Sequence, residues 1–218
     1  YLLLECERTS DCYLGGVCEP VASTVTQPGE SMRSLCVGHS DKFLDEIYET
    51  MIGAQSYLDI TSLTPPDGRF EAAIRNGLTY LSNTDRVLTV RYLYGALPYA
   101  NTDEILSRLT RDVDLGTSMR THVGAYRIGI DSWNHAKLIA VDGEVMITGG
   151  HNFWSEHYLS SAPIHDLSIR LTGTPADDAH YFINQLWAHT CVDYWLWAVT
   201  GRSVFPATAP SCPEDYDG

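Results

Sequence analysis

The chain has 218 residues, 44% of them hydrophobic, which is enough for one good core and a single domain with some extension. Acidic residues number 28 against 14 basic ones, for a net charge of -14. A protein that neutralises many backbone phosphates needs the opposite balance, so bulk nucleic-acid binding is disfavoured and only a local basic pocket remains compatible.

Six cysteines are present, four early (Cys6, Cys12, Cys18, Cys36) and two late (Cys191, Cys212). An even count with an early cluster in a non-periodic segment points to disulfides, and hence to an oxidising, secreted setting. The competing zinc reading is weakened by C-x5-C-x5-C spacing in place of C-x2-C. The early four allow three internal pairings, and the sequence chooses none of them. Cys191–Cys212 is the expected late bridge, with a bond from Cys212 to a partner chain as the alternative. No stretch has the length of a membrane span. Residues 1–4 are too short for a signal-peptide core, so a mature N-terminus is expected.

Residues 1–38 form a Cys-, Gly- and Pro-containing lead segment with strand-like character near 22–26. It is expected to be a stapled extension packed on the main domain, with a separate binding module as the alternative. The main domain is expected over 39–200. Ser40 resembles an N-cap, and Phe43, Leu44, Ile47, Tyr48, Met51 and Ile52 recur at helical spacing. A strand follows at 56–63, then a Pro-Pro-Asp-Gly loop, a helix at 69–81, a strand at 86–94, a helix at 102–112 and a strand at 122–128. Residues 136–141 are short and apolar and end at Asp142-Gly143, a hairpin turn signal, with a return strand at 145–148. A loop or short helix is expected at 153–158, a strand within 163–173, and a long helix from Pro175 to about 197. Residues 201–218 are Pro-rich and acidic and are expected to be an exposed tail. Alternating strands and helices predict an α/β fold: a mixed, mostly parallel sheet flanked by helices. His135 falls at the start of its strand, so that strand is expected to run against some neighbours.

The stretch 132–152 carries the chemistry. It contains His135-x-Lys137-x4-Asp142, then Gly149-Gly150-x-Asn152. Alternation along a strand puts His135 and Lys137 on one face and gives Asp142 the opposite parity. The hairpin returns Asn152 to the end where His135 lies.

This pattern resembles the HxKxxxxD signature of the phospholipase D superfamily, with the GGxN that follows it. From Trp133 to Trp187 the chain is similar to the secreted Streptomyces-type phospholipases D, in W-N-H-x-K, V-D-G, T-G-G-x-N-x-W, a D-x4-L-T-G strand and a late L-W. The resemblance covers roughly residues 40–197 and matches the N-terminal half of those enzymes. It implies a phospholipase D-like lobe.

A phosphodiester site needs a nucleophile, positive charge around the nonbridging oxygens and an acid for the leaving alkoxide. Imidazole is available near neutrality, so His135 is the expected nucleophile, through a phosphohistidine. Lys137 would neutralise the nonbridging oxygens, and Asn152 would donate to them. A carboxylate is needed to fix the ring's tautomer. Asp166 is the candidate, and the resemblance implies this role for the carboxylate in the strand before L-T-G. Asp142 is expected to fix the turn, and Gly149 and Gly150 are part of the structural motif. His151, Trp133 and Trp154 are candidate pocket walls. No metal or other cofactor is expected, since calcium loops, H-E-x-x-H, P-loop and dinucleotide patterns are absent.

The superfamily's site uses two such motifs facing each other, and no second H-x-K exists here. The preferred completion is a second lobe from a separate or cleaved C-terminal chain, with a homodimer as the alternative. The expected activity is phospholipase D hydrolysis, with transfer to other alcohols, on phospholipid at a membrane or micelle surface. A dimeric nuclease and a non-catalytic binding lobe are the competing readings.

Overall fold

The computed structural model describes residues 4–13, 16–38, 40–95, 101–113, 118–128, 132–160, 162–192, 201–204 and 212–213. Strands β1 (Val17–Val21) and β2 (Arg33–Val37) form an antiparallel pair in the lead segment. Then come α1 (Lys42–Ile52), β3 (Tyr57–Ser62), α2 (Gly68–Ser82), β4 (Leu88–Gly95), α3 (Thr102–Leu109), β5 (Met119–Ile128), β6 (Ser132–Trp133), β7 (Leu138–Val141), β8 (Val145–Gly149), α4 (Ser155–Tyr158), β9 (Ser168–Thr172), α5 (Thr174–Val192) and β10 (Gly201–Val204).

The main sheet has the order β10-β5-β4-β3-β7-β8-β9, with β6 paired to β5. The expected mixed α/β architecture is present. Parallel pairing is confined to β3, β4 and β5, and the flanking pairings are antiparallel. Side-chain alternation along β3 sends Leu58 and Ile60 to the core under α1, α2 and α3. Leu138, Ala140 and Met146 face the other way, onto Ala176, Ala179, Ile183 and Trp187 of α5. Helices therefore cover both faces of the sheet.

The α5 face also buries charge. Arg91 and Asp59 have wholly buried side chains joined by two bonds, Nε–Oδ1 at 2.6 Å and Nη2–Oδ2 at 2.8 Å. Asn184 and His180 of α5 complete the set: Arg91 Nη1 donates to Asn184 Oδ1 at 2.6 Å, and His180 Nδ1 lies 2.7 Å from Asp59 Oδ2. Buried charges persist only when paired and hydrogen-bonded in this way.

The lead segment lies against α1 and α2. Asp45 accepts the Ala22 and Ser23 amides, both at 3.1 Å, and the Tyr48 hydroxyl donates to Val25 O at 2.6 Å. The early bridges are Cys6–Cys18 and Cys12–Cys36, and the late one is Cys191–Cys212. No cysteine is left free, so Cys212 has no thiol with which to bond another chain. The early sulfurs are bonded to one another, which removes the zinc alternative.

Several boundaries differ from expectation. Residues 22–24 make a 3-10 turn, and the lead-segment strands flank it. Asp41 takes the α1 cap position in place of Ser40, and Asn101, accepting the Glu104 amide at 3.2 Å, caps α3. Residues 162–167 stay out of the sheet, and β9 begins only at Ser168. The tail is not wholly exposed: 201–204 forms β10 against β5, and Pro213 is buried beside the half-buried Cys212. The remainder of the tail and the expected helical residues 193–197 lie outside the described residues.

The β7–β8 hairpin turns at Asp142 (φ 54°) and Gly143 (φ 68°), both left-handed, as a type I′ turn demands. The Asp142 carboxylate then accepts the amides of Gln55, Ser56 and Tyr57 at 2.7, 2.8 and 2.7 Å. It thus caps the start of β3 from the far end of β7. Asp142→Ala should lower unfolding stability by about 2 kcal/mol in urea titration, with Asp142→Asn in between. A loss below about 0.5 kcal/mol would contradict the clamp.

Candidate active site

Strand β7 runs antiparallel to β3, pairing Thr61 with Leu138 and Leu58 with Val141. Its start therefore lies beyond the C-terminal ends of the parallel strands, where ligands of open α/β sheets sit. His135 and Lys137 precede the strand and do not belong to it, in contrast to the expected 136–141. The cause is Asn134. Its buried side chain donates to Ser62 O at 3.3 Å and Leu93 O at 3.0 Å and accepts the Ala136 amide at 3.2 Å. This occupies the ends of β3 and β4 and delays the ladder. Gly95 makes room for it, since a Cβ there would come within 2.7 Å of Asn134 O and 3.1 Å of Trp133 Cδ1.

His135 is exposed and Lys137 half-buried. Lys137 Nζ lies 3.0 Å from His135 Nδ1 and 3.4 Å from Nε2, and donates to His135 O at 2.8 Å. Two cations at this separation repel, so the contact suits a pair carrying a single positive charge. Burial pushes the Lys137 ammonium below its ordinary pKa, and the Asp166 charge opposes that shift. Thr148 Oγ1 donates to Lys137 O at 3.0 Å and so anchors the lysine backbone to β8.

Asp166 is exposed and lies in the irregular stretch before β9. Its Oδ2 accepts a 2.7 Å bond from the Tyr158 hydroxyl, and its charge also acts on His151. No hydrogen bond joins it to His135 among the described residues. The two glycines explain its approach: a Cβ on Gly150 would fall on the Asp166 carboxyl, and one on Gly149 would strike Leu167 O and Ser168. The Gly150 amide donates to Leu167 O at 2.9 Å.

The Asn152 amide donates to the Tyr158 oxygen at 3.3 Å, while its side-chain Oδ1 is buried without a partner. His151 bonds Ser168 Oγ through Nδ1 at 2.8 Å, and its ring packs between Phe43 and Tyr158, each at 4.7 Å. Trp154 is held by a bond from Nε1 to Thr64 Oγ1 at 2.5 Å. Trp133 lies on β6 against Gly95, at the end of β4. Asp142 sits at the opposite end of β7, away from this cluster.

The structure thus gathers Lys137 on His135, with Asp166 in electrostatic reach, and ties Asn152 to Asp166 through Tyr158. Tyr158 and Asn134 carried no assigned role in the sequence. Asn134 was visible inside W-N-H-x-K, whereas nothing in S-E-H-Y marked the tyrosine. The arrangement offers an exposed imidazole beside a lysine amine, with a carboxylate nearby. No acid placed to protonate a leaving group is evident among the described residues. The one potential metal-ligand cluster among them, Cys6, Cys12 and Cys36, is consumed by the disulfides.

His151 gives the site a pH signature. Burial lowers its pKa, with the Asp166 charge opposing. The unfolded ring binds its proton near pH 6.5, the folded one only below that, so unfolding takes up protons in between. Stability from this residue is therefore whole above about pH 6.5 and falls as pH drops through the depressed folded value. His151→Phe should lose less stability than the parent protein between about pH 7 and about pH 5 in thermal unfolding. Equal losses would contradict this.

No family model matches the chain. It is 33% identical over 198 residues to phospholipase D of Streptomyces antibioticus, an alignment covering 81% of this chain and 35% of that protein. The chain thus spans about a third of that relative's length. Among solved structures, NucT from Helicobacter pylori aligns with a TM-score of 0.47 at 11% identity, over 67% of this chain and 87% of that one. Nuc from Salmonella typhimurium, a phospholipase D family member, aligns with a TM-score of 0.42 at 13% identity, over 73% and 88% respectively. Over most of its own length the chain is thus similar in sequence to a phospholipase D.

Proposed function

We propose that this chain supplies one lobe of a secreted phospholipase D, cleaving the distal phosphodiester of glycerophospholipids such as phosphatidylcholine. The observation that carries the reading is Lys137 Nζ at 3.0 Å from His135 Nδ1, beside the GG-x-N turn and Asp166. An arriving phosphodiester offers its anionic oxygens to Lys137 and Asn152 and draws the ammonium off the ring. With the ammonium gone from Nδ1, the neutral ring exchanges its proton from Nε2 to Nδ1 through water, Nδ1–H donates to Asp166, and the Nε2 lone pair is free to attack phosphorus. The P–O bond to the headgroup alcohol breaks as the P–N bond forms, and a phosphatidyl-histidine results. Water attacks next, P–N breaks, phosphatidic acid leaves and the imidazole is restored. An acceptor alcohol in place of water gives transfer.

The leaving alcohol needs a proton that this cluster has no evident group to give. A second HKD lobe, from another chain or a second copy, supplies that acid and later serves as the base for water. Three disulfides support an extracellular setting. The net charge of -14 disfavours a nucleic-acid substrate.

Choline release from phosphatidylcholine vesicles by the native assembly carrying this chain tests the reading, with plasmid nicking as the comparison. His135→Ala should cut choline release by roughly 10^4-fold or more. Wild-type-like release by that variant would sink the nucleophile assignment, and efficient nicking without choline release would sink the substrate class.

A further inference from the structure

We propose that Tyr158 is the positioning residue for Asp166, holding the carboxylate through its hydroxyl and tying it to Asn152. The inference rests on the function proposed above. Asp166 is exposed and sits in a stretch without regular structure, so no ladder fixes its side chain. The backbone is pinned on either side of it, by the Ile164 amide on His157 O at 2.7 Å and the Gly150 amide on Leu167 O at 2.9 Å. Between those pins the carboxylate has a single hydrogen bond among the described residues, from the Tyr158 hydroxyl to Oδ2 at 2.7 Å. Without it an exposed aspartate samples several rotamers, and orienting it would cost side-chain entropy at each turnover.

Tyr158 suits this task. It is only 3% exposed, and its ring is packed by His151 at 4.7 Å and, edge-on, by Phe70 at 6.4 Å. Two torsions, both locked by packing, place the hydroxyl. Burial first, then the Asp166 bond, push its pKa above the ordinary phenol value, so it stays a donor through the working pH range. The same oxygen accepts the Asn152 amide at 3.3 Å. One atom therefore bonds both the proposed orienting carboxylate and the backbone of Asn152, whose side chain is the proposed phosphate donor. Oδ2 is occupied, and Oδ1 lies over Gly150 without a hydrogen bond among the described residues.

The test is a double-mutant cycle on the native assembly, read as choline release. Tyr158→Phe keeps the ring and deletes the hydroxyl. It should lower kcat by roughly 10- to 100-fold with KM within about twofold. In an Asp166→Asn background the same change should add less than about twofold, because Tyr158 acts through Asp166. Full additivity would overturn the proposal, as would unchanged kcat in Tyr158→Phe while His135→Ala is inactive. An active His135→Ala variant would instead mark failure of the function itself. Should Tyr158→Phe not fold, fluorotyrosine at 158 keeps the shape while acidifying the hydroxyl. It must then change kcat, and an unchanged kcat overturns the proposal.

Discussion

The antiparallel pairing of β7 with β3 is the constraint on which the rest depends. The strands β3, β4 and β5 run together, so their C-terminal ends open at one edge of the sheet. Because β7 runs the other way, the residues entering it arrive at that edge. Both ends of β7 are pinned. At one end Asn134 occupies the carbonyls of Ser62 and Leu93, and at the other Asp142 occupies the amides of residues 55–57. Asn134 adjoins His135 in the chain and Asp142 lies at the far end of β7, so the two fix the strand that the His135–Lys137 pair leads into.

Behind that edge the α5 face supplies rigidity by a costly route. Asp59 and Arg91 lie on adjacent strands and are fully buried, and α5 closes over them with Asn184 and His180. A buried ion pair adds little net stability, but losing one partner strands the other charge. The set therefore specifies how α5 seats on β3 and β4 more than how strongly. That seating matters to the site because α5 follows directly from β9, the strand entered from Asp166.

Much of this was legible in the sequence. The spacing His135-x-Lys137-x4-Asp142 with Gly149-Gly150-x-Asn152 named the cluster, and helical periodicity named α1 and α2, since both are local patterns. Residues whose roles exist only in three dimensions were not legible. Arg91 sits within an apolar strand run and reads as an ordinary strand residue until Asp59 and α5 are placed around it. Strand β10 is four residues with no apolar alternation, and its place comes from the ladder of β5. The start of β7 was anticipated too early, because the Asn134 side chain competes with the ladder for the ends of β3 and β4. Tyr158 gave no signal because its hydroxyl matters through Asn152 and Asp166, six residues before it and eight after.

The central claim is that this chain carries a nucleophile without its leaving-group acid. Nitrophenolate leaves without protonation, whereas an alkoxide does not. The most direct measurement compares the monomeric chain alone on a p-nitrophenyl phosphodiester and on a choline phosphodiester. The account predicts a burst of nitrophenolate approaching one equivalent, with an acid-labile phosphoryl adduct on His135, and no choline release until a second lobe is added. Choline release by the monomeric chain alone, or an adduct on any residue other than His135, would contradict it.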